Sequence, residues 1–169
     1  MSNPLTIAKF GGTSVANYAA MQNCARIVAG NPGTRIVVVS AAAGITNHLV
    51  DLAHKAMTQE QIGEVCQAIA DIEFRILNEL KAKDSVAAKL DDLLEEVKKL
   101  AFHEEILHRA DLKDQLLSMG ERMSSLMFSA VLAEQDVTTM NFDVRKVLRT
   151  DSEFGAATPQ LDVIAENAQ

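Results

Sequence analysis

The chain is expected to fold as an α/β sandwich on a mostly parallel sheet, with a largely helical insertion. Three features carry that expectation: a short apolar run at 5–10 ended by a glycine pair, a β-branched run at 35–39, and helical periodicity from about 47 to 134. A strand–helix–strand order of this length makes a βαβ unit, the connection that parallel strands require.

Residues 5–10, LTIAKF, read as a short buried strand that Gly11-Gly12 breaks. Thr13-Ser14 offer helix N-caps, and Ala16, Ala19, Ala20, Cys24, Ile27 and Val28 form the apolar face of a helix running to about Ala29. The turn Gly30-Asn31-Pro32-Gly33 closes it. Residues 35–39, RIVVV, form the clearest strand, a continuous run of the kind buried on both faces of a parallel sheet.

Helical patterns then dominate. Ile62, Val65, Ile69, Ile72, Ile76 and Leu80 recur at steps of three and four, which marks one face of an amphipathic helix. Leu90, Leu93, Leu94, Val97 and Leu100 mark a second, and residues 112–134 a third. Gly120 and short caps argue against one continuous coiled coil, so a helical insertion between strands is the simpler account. A further strand is expected at 137–142, VTTMNF. Pro159 reads as a helix start, and the pattern is still helical at Gln169, so the chain is expected to be a piece of a longer protein.

Composition narrows the function classes. With 169 residues, 48% of them hydrophobic, the chain can bury a core of its own, and disorder is excluded. The net charge of −7, with no basic run, speaks against a nucleic-acid partner. No apolar stretch is long enough to span a membrane and the start lacks a signal-peptide pattern, so a cytoplasmic location is expected. Cys24 and Cys66 belong to no CxxC or Cys/His cluster, and the four histidines are scattered, so no metal site is expected.

Chemistry concentrates in three segments. Lys9 sits at the carboxyl end of the first strand with Gly11-Gly12 after it, the reverse of a Walker A order. Ligands bind at that edge of an open α/β sheet. Paired glycines let backbone N–H groups approach a phosphate, and a lysine ammonium there can neutralise a transferring phosphoryl group. Spacing alone leaves an ordinary strand–turn–helix connection equally open. After the second strand, residues 40–47 (SAAAGITN) make a loop of small residues in which Ser40 and Thr46 can hydrogen-bond a carboxylate or an amine; a plain helix cap is the alternative. In the third helix Glu121 can face the cleft and hold an ammonium, or form a solvent-facing pair with Arg122. The charges of 142–150 line the cleft or belong to a solvated loop.

In this order the segments KFGGTSVA, SAAAGITNHL, SMGERMSS and FDVRKVLRTD resemble the aspartate kinases of the amino-acid kinase family, over nearly the whole chain. The likeness is greatest to the lysine-sensitive monofunctional enzymes. It implies the amino-terminal part of an amino-acid-kinase-type α/β/α sandwich, with residues 1–169 as the aspartate-binding part of the catalytic domain. The implied reaction is transfer of the ATP γ-phosphoryl to the side-chain carboxylate of L-aspartate, with Mg²⁺. Carried over residue by residue, Lys9 would be catalytic; Lys9, Phe10, Gly11, Gly12 and Ser14 would meet the phosphates; Ser40, Ala41 and Thr46 would hold the aspartate, and Glu121 its ammonium.

The family's second glycine-rich loop, its GGSD segment, its ATP-base site and its ACT domains have no counterpart in these residues. Little or no kinase activity is therefore expected of the chain alone, exposed sheet edges are expected to favour self-association, and the full-length enzyme is expected to be a homo-oligomer. The rival readings are another amino-acid kinase, acting on glutamate, acetylglutamate or carbamate, a non-catalytic amino-acid-binding module, and a helical interaction domain.

Overall fold

The computed structural model describes residues 4–169. Strand β1 (Thr6–Phe10) leads through a 3-10 turn at Gly12–Val15 into α1 (Tyr18–Ala29), and β2 (Thr34–Val39) follows. The two strands pair in parallel, with Ala8 beside Val37, Lys9 beside Val38 and Phe10 beside Val39. The expected βαβ unit is therefore present.

Four helices follow β2 as the expected helical segment, α2 (Ile45–His54), α3 (Gln59–Glu79), α4 (Asp84–Ala101) and α5 (Ala110–Ala133), with no later strand joining the sheet among the described residues. A capping box starts α3, with the Thr58 hydroxyl accepting the Gln61 N–H and the Gln61 side chain accepting the Thr58 N–H. Helix α5 runs unbroken through Gly120 and buries residues almost all round from Met119 to Leu132, as a helix enclosed by neighbours must. It packs on α1, α2, α4 and β2. Ile69 and Ile76 of α3, Leu90 of α4 and Met123 of α5 lie at the centre of the core.

Several local expectations need correction. Thr13-Ser14 do not cap α1; Asn17 does, its extended backbone letting its side-chain oxygen accept the Ala20 N–H at 2.9 Å. The apolar face of α1 is Met21, Cys24, Ala25 and Val28, while Ile27 is exposed. In β2, Val37 and Val39 pack on the core, but Ile36 and Val38 are 54% and 46% exposed. They point, with Ile7 and Lys9, to the side of the sheet that no helix covers among the described residues.

Residues 137–142 form no strand. High β-propensity makes a strand only where a neighbour accepts the ladder hydrogen bonds; the Val137 N–H instead returns to the Leu132 carbonyl, and the Asn141 side chain meets the Ser125 hydroxyl. A second 3-10 turn (Val144–Lys146) follows, and α6 (Leu161–Asn167) begins two residues past Pro159, which bridges to Thr150.

Candidate active site

The carboxyl ends of β1 and β2 bring the first two segments together. The Ser40 N–H donates to the Phe10 carbonyl at 3.1 Å, which extends the strand pairing into the loop. Lys9 is exposed, and Gly11 lies beside its ammonium: a Cβ there would stand 3.8 Å from Nζ, an ordinary contact. Gly12 approaches the next loop so closely that a Cβ would lie 2.7 Å from the Ala41 carbonyl oxygen. That approach is possible for no residue but glycine.

Helix α5 completes the arrangement from the other side. The Ala41 N–H donates to Glu121 Oε1 at 3.3 Å, across 80 positions of sequence. Glu121 is otherwise exposed, so its carboxylate has one edge on the loop and the rest open. Arg122 does not pair with it; its guanidinium donates to Glu96 Oε2 at 2.8 Å on α4. The two neighbouring charges of α5 thus serve different surfaces.

The remaining candidates are placed less tightly. Thr46 stands inside the first turn of α2 rather than before it, exposed, and its N–H and that of Asn47 take no backbone acceptor among the described residues. Gly44 precedes that turn with φ of 92°, a conformation that favours glycine. Ser14 belongs to the 3-10 turn; its N–H donates to the Gly11 carbonyl and its carbonyl accepts the Cys24 thiol at 3.2 Å. Burial pushes the Cys24 thiol up from its ordinary pKa, which keeps it protonated.

The loop at 142–150 is a solvated one over most of its length. Arg145 grips Asp143 through its guanidinium, and that partner draws the Asp143 carboxyl down to a pKa of about 2. Among the described residues no cluster of three or more His, Cys, Asp or Glu side chains is placed to hold a metal ion.

Sequence reasoning assigned no role in the site to Gly120, yet it lies against Ala41: a Cβ there would be 2.6 Å from the Ala41 Cβ. A glycine inside a strongly helical pattern was the available signal.

Comparison with known proteins gives a consistent picture. The model of the amino acid kinase family matches residues 4–168. The chain is 43% identical over 164 residues to the lysine-sensitive aspartokinase 3 of Escherichia coli (strain K12), an alignment that covers 97% of this chain and 36% of that protein. It is 58% identical over 60 residues to a putative inactive aspartokinase 3 of Haemophilus influenzae, covering 34% of this chain and half of that one. Among solved structures, E. coli aspartokinase III in complex with lysine and aspartate superposes with a TM-score of 0.91 over 99% of this chain and 37% of that one, at 42% identity. The same enzyme with aspartate and ADP superposes at 0.90. The chain thus spans little more than a third of the aspartokinase III that it resembles.

Proposed function

The chain belongs to the amino acid kinase family, and from that premise we propose that it supplies the part of an aspartate kinase that binds the amino-acid substrate and places the phosphates. Residues 1–169 are read as the amino-terminal, aspartate-binding part of the catalytic domain, with residues 47–134 as its helical segment. The observation that carries this reading is the meeting of two distant segments on Ala41: Gly12 against its carbonyl, and α5 with Gly120 against its Cβ and Glu121 on its N–H.

In the proposed reaction a side-chain carboxylate oxygen of L-aspartate attacks the γ-phosphorus of ATP. The bond to the β,γ-bridging oxygen breaks, and 4-phospho-L-aspartate and ADP leave. The protein contributes position and charge, with no covalent intermediate. Lys9 stabilises the charge on the phosphoryl oxygens, while Phe10, Gly11, Gly12 and Ser14 form the turn that faces them. Ser40, Ala41 and Thr46 hold the aspartate, and Glu121 takes its ammonium. Mg²⁺ would come with the ATP phosphates; the described residues offer no ligand cluster for it.

The family features that bind the nucleotide base are absent from these residues, so the chain alone is proposed to have little or no kinase activity. The whole enzyme is proposed to act in the cytoplasm as a lysine-sensitive homo-oligomer. A second reading, an amino-acid-binding module without catalysis, draws on the likeness to the H. influenzae protein described as inactive.

Calorimetric titration of the chain with L-aspartate, L-glutamate and N-acetyl-L-glutamate tests the substrate assignment. Aspartate is expected to bind best, and Glu121→Ala is expected to weaken it about tenfold or more by removing a charged partner. N-acetyl-L-glutamate has no ammonium for Glu121, so tight binding of that compound would turn the assignment toward a different amino-acid kinase. A chain that binds none of the three would contradict the proposal.

A further inference from the structure

Gly120 lies in the interior of α5, where glycine costs a helix about 1 kcal/mol relative to alanine. Nothing in helix formation calls for it. The reason lies on the facing segment: besides the 2.6 Å approach to Ala41 Cβ, a Cβ at 120 would stand 3.2 Å from both Ile45 Cγ2 and Leu49 Cδ1. Carbon atoms in ordinary contact are about 3.5–4.0 Å apart.

The contacts with Ile45 and Leu49, at 3.2 Å, call for shifts of only a few tenths of an ångström. Ala41 demands more, because its Cβ is fixed to the backbone, and Gly12 already approaches that backbone closely at the Ala41 carbonyl. An alanine at 120 would therefore drive α5 and the loop apart by about 1 Å. The Glu121–Ala41 hydrogen bond, at 3.3 Å, is already near the long end of its range. A separation of that size breaks it.

We propose that Gly120 is a positioning residue: matched in size to Ala41, it sets how far α5 stands from the 40–44 loop and so where the Glu121 carboxylate is held for the amino group of an acidic amino-acid substrate. Its functional half rests on the reading of Glu121 given above; its steric half does not.

Hydrogen exchange of the amide at position 41, followed by NMR on the full chain, reads the contact directly. Gly120→Ala is expected to speed that exchange about tenfold, to the level of Glu121→Ala. Adding Ala41→Gly to Gly120→Ala removes the colliding Cβ and is expected to restore the exchange rate of Ala41→Gly alone, the mark of a coupled pair. L-aspartate affinity should follow the same cycle, falling about tenfold in Gly120→Ala and returning in the double variant to that of Ala41→Gly alone. Exchange unaltered by Gly120→Ala, or a double variant as fast as the single one, overturns the proposal. So does loss of folding in both, which would make the contact a matter of core packing alone. A wild-type chain that ignores aspartate while the exchange cycle behaves as described sinks the substrate reading and spares the steric one, so the two failures are told apart.

Discussion

Glu73, on the inner face of α3, is fully buried, and neither carboxylate oxygen has a hydrogen-bond partner among the described residues. Burial raises its pKa from 4.5 to about 7, since a lone charge in an apolar surround is costly. The unfolded chain gives up this proton near 4.5 and the folded chain holds it to about 7. Between those values the unfolded state binds fewer protons, so stability falls as pH rises and then levels off above 7. The whole effect is about 3 kcal/mol. The other buried titratable groups on α1 and α3 are Tyr18, Cys24 and Cys66, and all three are shifted upward, away from this window. Urea unfolding of wild type and Glu73→Gln at pH 5 and pH 8 checks the assignment. The wild type should lose stability over that interval and the variant should not; equal slopes would show that Glu73 is ionised and partnered in solution. The same residue scale shows where sequence reading stops. Lys9 and Gly11-Gly12 were legible because a strand end followed by two glycines is a local signal. The partner of Glu121 was not, because the choice between Arg122 and the Ala41 amide depends on how α5 packs.

Among the elements, α1, α5 and the turn between α3 and α4 meet at one carboxylate. Glu134, which ends α5, accepts the Tyr18 hydroxyl at 2.6 Å and the Lys81 N–H at 2.8 Å. Its charge raises the Tyr18 pKa, chiefly through that hydrogen bond. Glu134→Ala leaves both donors without their partner and is expected to cost about 1–3 kcal/mol in unfolding free energy. It should also bring the phenol titration back toward its ordinary value, which ultraviolet absorbance can follow. A loss under about 0.5 kcal/mol would place this cluster with ordinary surface contacts. Helix faces were legible from periodicity for α3 and α4, because one continuous apolar stripe admits one orientation; α5, buried almost all round from Met119 to Leu132, offered no single face to read. The alanine-rich α1 was not, since alanine at Ala19 or Ala20 marks no side, and the buried face turned out to centre on Met21 and Val28.

At the scale of the molecule, the central fact is that one helix and two parallel strands converge on a single loop. The order of the motifs allowed this to be expected, because parallel strands bring their carboxyl ends to one edge. Two features of the whole were not legible. Residues 137–142 have strand-like composition without a strand beside them, and the sheet keeps Ile7, Ile36 and Val38 exposed on one face. Both depend on what lies next to a segment, which composition does not record. Steady-state kinetics test whether this edge serves aspartate phosphorylation. A hybrid in which this chain replaces the matching segment of the E. coli aspartokinase 3 carries the nucleotide-binding remainder. It should form 4-phospho-L-aspartate; Glu121→Ala should raise KM for aspartate about tenfold or more with little change for ATP, and Lys9→Ala should depress kcat instead. A folded hybrid that leaves aspartate unphosphorylated, or one whose kinetics neither substitution alters, would contradict it.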